Sequence, residues 1–177
     1  PDERQLSISQ FDDFFPETRD FFLEDSGSFE GFGNLDQNGR PYFSRKVGML
    51  FQGLGLEVPE QIPIRAAAKV SGRQGPWNIG LLDAQTTSHG DIERKNLAVV
   101  RATYDVFAES TVGLIATRGD PSSNRDSNLV GFDFRFRNSN LVENRIIQAE
   151  VWAQRSSTSD LSGDSEAYGF KVHYPND

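Results

Sequence analysis

From about residue 63 onward the chain alternates. Ile64, Ala66, Ala68, Val70 and Gly72 fall on one side of an extended segment and Arg65, Ala67, Lys69, Ser71 and Arg73 on the other. That period of two marks a strand with two unlike faces. Val130, Phe132, Phe134 and Phe136 oppose Gly131, Asp133, Arg135 and Arg137, while Tyr168, Phe170, Val172 and Tyr174 oppose Ala167, Gly169, Lys171 and His173. The same period runs more faintly from Trp77 to Leu81, from Ala98 to Val106, from Val112 to Ala116 and from Ile147 to Ala153, where Gln148, Glu150 and Gln154 take the polar side. Seven strands are predicted, near 64–73, 76–85, 96–106, 111–118, 129–137, 145–155 and 167–174.

Strands of this length, roughly nine to eleven residues, suit a tilted bilayer crossing, whereas globular strands centre on about five or six. The connections add a second signal. Gln74 and Gly75 form a tight turn, 107–110 is short and 138–144 intermediate, against long stretches at 86–95, 119–128 and 156–166. Outer-membrane barrels alternate short turns at one end with longer loops at the other. The long stretches, TTSHGD, RGDPSSNRD and RSSTSDLSGDSE among them, have the composition of solvated chain.

The fold class expected is therefore all-β, an antiparallel meander forming the N-terminal part of a transmembrane β-barrel. The alternative is a soluble antiparallel sheet or sandwich, which alternation alone does not separate from it. In a barrel the candidates to line a wet lumen are Arg65, Lys69, Arg101, Asp133, Arg135, Arg137, Glu150 and Lys171. Trp77, Tyr104, Phe136, Tyr168 and Tyr174 lie near strand ends, where an interfacial girdle would need aromatics.

Residues 1–62 have another texture. Phenylalanines stand among acids, glycines and prolines with no sustained period, as in FDDFFPETRDFFLEDSGSFEGFG. An irregular segment anchored on the sheet by its aromatic rings is expected, with Glu17, Arg19, Glu24 and Arg45 as candidates for an ion-pair cluster at a barrel mouth. The stretch 41–51 is a candidate further strand, although Arg45 then falls on its apolar side.

Composition narrows the partners. The chain has 177 residues, a hydrophobic fraction of 36%, 26 acidic against 18 basic side chains and a net charge of -8. An acidic chain without clustered Lys and Arg offers no nucleic-acid footprint. Its lack of cysteine excludes disulfides and thiolate metal sites. A start at Pro1, a lone Met49 and an end just after an alternating segment suggest a piece of a longer protein.

Catalytic and ligand motifs are weak. His89 and His173 lie apart with no partner at metal-ligand spacing, and Gly31-Phe32-Gly33 is not followed by a helix pattern. Glu17 with Glu24 is the best local carboxylate pair, and the solvated reading of both acids outweighs a hydrolytic one. The same holds for Ca²⁺ in DAQTTSHGD or at Asp160, Asp164 and Glu166, and for sugar stacking on Trp77 and Trp152. No cofactor, metal site or catalytic residue is predicted.

Several blocks carry a family resemblance: FFPETRDFFLEDSGSF, PYFSRKVG, IPIRAAAKVSGRQGPWNIGLLDAQT, NLAVVRATYDVFAESTVGLIATRGD and NLVGFDFRFR. In their order and spacing they resemble large bacterial envelope proteins in which a family 9 carbohydrate-binding-like module precedes an uncharacterised C-terminal outer-membrane barrel domain. The resemblance implies that residues 1–62 are a plug or barrel-entry segment and 63–177 the first barrel strands. The module would lie upstream and further strands downstream. It also implies a bacterial outer-membrane location, lipid as partner, and the handling or passage of a polar or glycan-derived solute. Members are often labelled as hydrolases or carbohydrate-binding proteins, so glycan binding or hydrolysis stands as the alternative function, and a soluble structural domain as a third.

Overall fold

A computed structural model describes residues 19–35, 39–42, 44–50, 60–120, 123–142, 145–161 and 165–174. After a single helical turn, α1 (Asp20–Leu23), and three short 3₁₀ turns come β1 (Met49–Leu50) and β2 (Glu60–Gln61), which pair only with each other. Then follow β3 (Ile64–Gln74), β4 (Trp77–Thr86), β5 (Asn96–Val106), β6 (Ser110–Arg118), β7 (Ser127–Val142), β8 (Arg145–Thr158) and β9 (Ser165–His173). These seven pair strictly in chain order, each neighbour antiparallel. The fold is an all-β antiparallel meander, as the alternation predicts. Among the described residues β3 and β9 each have one strand neighbour, so the sheet is open at both edges.

Three local expectations change. At 41–51 the described residues show only Met49–Leu50 extended and Ser44–Lys46 as a 3₁₀ turn, so among the described residues no long strand precedes β3. β7 and β8 run to 16 and 14 residues, longer than predicted, which shrinks the connections to 143–144 and 159–164. The alternation of ends survives: the β3–β4, β5–β6 and β7–β8 connections are short and fall at one end, and the longer β4–β5, β6–β7 and β8–β9 connections at the other. The third change is a bulge. Ile64 pairs with Thr86 but Ala66 with Gln85, so Arg65 is an inserted residue and Ile64 turns away from the face of Ala66 and Ala68 to pack on the core.

The two faces of the meander are opposites. One, the open face, carries Val70, Ile79, Leu81, Val100, Leu114, Val130, Phe132, Val151, Phe170 and Val172, all exposed, with Tyr168 and Phe170 at 83% and 82%. The other, the covered face, carries most of the strand charges, among them Lys69, Arg101, Asp133, Arg135 and Glu150, and lies beneath the N-terminal segment. The core sits between that segment and the sheet: Phe22, Phe29, Phe32 and Val47 pack on Leu82, Ala84, Leu97, Val99 and Ile115. A soluble sheet buries its apolar face, whereas this one leaves a broad apolar face exposed and buries Arg101, Asp133 and Glu150 on the other beside the core side chains.

Candidate functional site

The covered face is the one place where charge, burial and chain-to-chain packing converge. Its centre is an ion pair. Arg101 on β5 reaches over β6 to Asp133 on β7, with Nη1 2.5 Å from Oδ1 and Nη2 2.9 Å from Oδ2. Their side chains are 2% and 6% exposed. A guanidinium and a carboxylate meeting in a bidentate fork satisfy most of each other's charge, which is what allows both to be buried. The bridge is possible because β6 presents Gly113 beneath it: a Cβ there would stand 2.5 Å from Asp133 Oδ1 and 2.7 Å from Arg101 Nη2.

The N-terminal segment uses the same pair. Gly33 N–H donates to Asp133 Oδ2 at 3.3 Å, and the Arg101 guanidinium lies 5.4 Å from the Phe32 ring centre. Phe32 fills the space that Gly131 leaves on β7, where a Cβ would fall 2.7 Å from its ring, and Phe29 does the same at Gly80 on β4. Glycine weakens a strand interior. Here each one opens a socket for a ring or an ion pair. Gly33 is fixed twice over: its φ of 57° is left-handed, and its Cα lies so near Trp152 that a Cβ would sit 2.8 Å from the indole.

Around this centre the sheet holds the segment by its main chain. Lys69 Nζ donates to the carbonyls of Phe21 at 2.7 Å and Glu24 at 2.5 Å. Arg135 Nη2 donates to Gly31 O at 3.1 Å, and Gln154 Nε2 to Gly39 O at 2.9 Å. Ser71 Oγ donates to the Asp25 carboxylate at 2.8 Å. At the other end Arg19 donates to Ser44 O and Val47 O, closing the segment on itself. The path therefore dips from the long-connection end toward the middle of the sheet and returns, with Tyr42 and Val47 lining a shallow cavity of about 150 Å³ beside Leu97, Thr117 and Gly119.

The predicted site residues are thus mostly brought to one face. Lys69, Arg101, Asp133, Arg135 and Glu150 all belong to the covered face, with Arg135 Nε 3.8 Å from Glu150 Oε1. Arg137 lies 3.8 Å from Glu109, and Lys171 is exposed and stands opposite Glu150 in the ladder. Arg65, at the bulge, drops out of the series. Of the proposed mouth cluster, Arg19 binds carbonyls, and the exposed Glu24 carboxylate lies 4.0 Å from Lys69. Glu17 and the Arg45 side chain lie outside the described residues.

Sequence reading did not foresee that Leu82, Ala84, Leu97, Val99, Ile115 and Trp152 share the covered face with the charges. The signal available for it was the set of strand glycines at 80, 113, 131 and 169, all in phase with the charged positions. Among the described residues no cluster of His, Asp and Glu has the arrangement of a metal site, and no helix is long and apolar enough to cross a membrane. No protein-family model, curated protein or solved structure matches the chain.

Proposed function

We propose that this chain is a wall section of an outer-membrane β-barrel, with its open face toward lipid and its N-terminal segment seated inside as a plug. The observation that carries the reading is the distribution over the sheet: seven strands share an exposed apolar face while the central ion pair of the other face, Arg101 with Asp133, is buried under chain from the same molecule. Hydrocarbon offers no hydrogen-bond partner, so a spanning sheet must be closed on itself. The open edges of β3 and β9 are then the places where further strands join.

Handling or passage of a polar solute at the bacterial surface is the function this architecture favours. Paired charges such as Arg73 with Asp105, Arg101 with Asp133 and Arg135 with Glu150 make the inner wall polar without depending on the plug for their charge balance. A glycan-derived solute follows from the family resemblance alone.

The two tryptophans test the membrane reading, because Trp77 is on the open face and Trp152 on the covered one. Single-tryptophan variants (Trp152→Phe and Trp77→Phe) are placed in vesicles containing lipid brominated on the acyl chain close to the headgroup. Emission from Trp77 is expected to be strongly quenched and that from Trp152 spared. Failure of the chain to enter vesicles, or equal insensitivity of both residues, would overturn the reading.

A further inference from the structure

The apolar positions on the open face do not follow the hydrogen-bonded rows of the ladder. One row runs Trp77, Tyr104, Val112, Phe134, Val151, Phe170 across six strands. It begins at the aromatic edge of the apolar belt, where Trp77 and Tyr104 meet edge to face with ring centres 4.7 Å apart beside the 75–76 turn. It ends in the belt's middle, since Phe170 has Tyr168 on one side and Val172 and Tyr174 on the other. Beyond the Ile79 row, the next row on this face runs Leu81, Val100, Ala116, Val130, Arg155, Glu166. It begins inside the belt and leaves it at an ion pair, Arg155 to Glu166 at 3.7 Å. On β4 the change to polar comes one step later, at Asp83, whose own row continues through Ala98, Arg118 and Asn128.

Both edges of the belt therefore step along the strands in the same sense between β4 and β9. Each step of two residues is about 6.8 Å. A random scatter of polar residues would move the two edges independently. Oblique edges that move in one sense, by one such step from Asp83 to the Arg155–Glu166 pair and by two from Trp77 to Tyr174, are what bilayer boundaries produce on strands that cross at a tilt.

Resting on the membrane reading, we propose that one headgroup boundary runs from the Trp77–Tyr104 pair to Tyr174. The other runs from Asp83 through Arg118 and Asn128 to the Arg155–Glu166 pair. Phe170 then lies in hydrocarbon although Trp77, on the same ladder row, lies at the interface. Leu81 lies in hydrocarbon although Arg155, on its row, does not. Aromatic amphiphiles favour the headgroup level, and a charge at the bilayer midplane costs about 2–4 kcal/mol, which fixes both edges.

The absence of cysteine makes the test direct. Single variants Trp77→Cys, Leu81→Cys, Arg155→Cys and Phe170→Cys are spin-labelled in phosphatidylethanolamine–phosphatidylglycerol vesicles, with Val100→Cys as a mid-belt standard. Accessibility to oxygen and to a water-soluble nickel chelate reads depth. Labels at 81 and 170 are expected to match the standard, and those at 77 and 155 to be severalfold more accessible to nickel. Equal depth along each row would overturn the oblique boundary while leaving membrane insertion standing. Nickel access at every site, the standard included, would overturn both.

Discussion

Arg101 and Asp133 are joined across an intervening strand, and the residue they cross is Gly113. Three strands are thereby coupled by one ion pair, and the N-terminal segment is registered on it through the Gly33 N–H. Removing one member leaves the other buried and uncompensated, at a cost of about 3–5 kcal/mol. Asp133→Asn is expected to lower the unfolding midpoint strongly, and Arg101→Met with Asp133→Leu to recover most of the loss. Chemical denaturation of the three proteins checks both outcomes. A double variant no better than Asp133→Asn would show that the pair matters for more than its mutual neutralisation.

Gly113→Ala tests the crossing itself. The added methyl overlaps both charged groups, and neither has free space to retreat into. A loss of about 1–3 kcal/mol is expected, as for overpacked cores. Gly72→Ala is the control, since nothing lies within 4 Å of the Cβ position there.

Gly131→Ala acts on the segment instead of the ion pair. Its methyl would displace the Phe32 ring, which packs edge-on to Trp152 at 6.3 Å between centres. Trp152 emission should shift to the red, and limited proteolysis should begin to cut near Gly31. Phe32→Ala should give the same signature and cost about 3–5 kcal/mol. Unchanged emission in both would mean that Phe32 does not hold the segment in place.

Leu114→Arg places a charge on the open face, 61% exposed in the present fold and near the middle of the apolar belt. A water-facing residue would accept it within about 0.5 kcal/mol. Under the membrane reading it should weaken vesicle insertion by about 2–4 kcal/mol, with Asn128→Arg, at the polar edge, nearly neutral. Vesicle flotation of the two variants beside the parent protein measures the difference.

The strands were legible because each face of the sheet meets a different environment, and residues such as Phe132 and Asp133 must then alternate. Their boundaries near 138–144 and 156–166 were not, because Asn, Ser and Thr continue a ladder as readily as they make a loop when the neighbouring strand is present. Ile64 misled for a related reason. A bulge is a property of the pairing with β4, and nothing in IPIRAAAKV announces it. The course of residues 19–48 was hidden more deeply, since an irregular segment has no period and its place is set by sockets on distant strands. Phe29 and Phe32 could be read as anchors, but only the fold pairs them with Gly80 and Gly131.

The order of the elements carries a consequence in time. The segment that lies on the covered face precedes β3 in the chain, and each strand of the meander pairs only with its neighbours in the chain. Along the chain the segment thus comes first, and every hairpin after it is made of local contacts. A sheet that curled shut before Phe29 and Phe32 were seated would have to reopen to admit them. The N-terminal segment in that sense precedes every strand it packs on, and its sockets at Gly80 and Gly131 exist only once β4 and β7 have been placed against it.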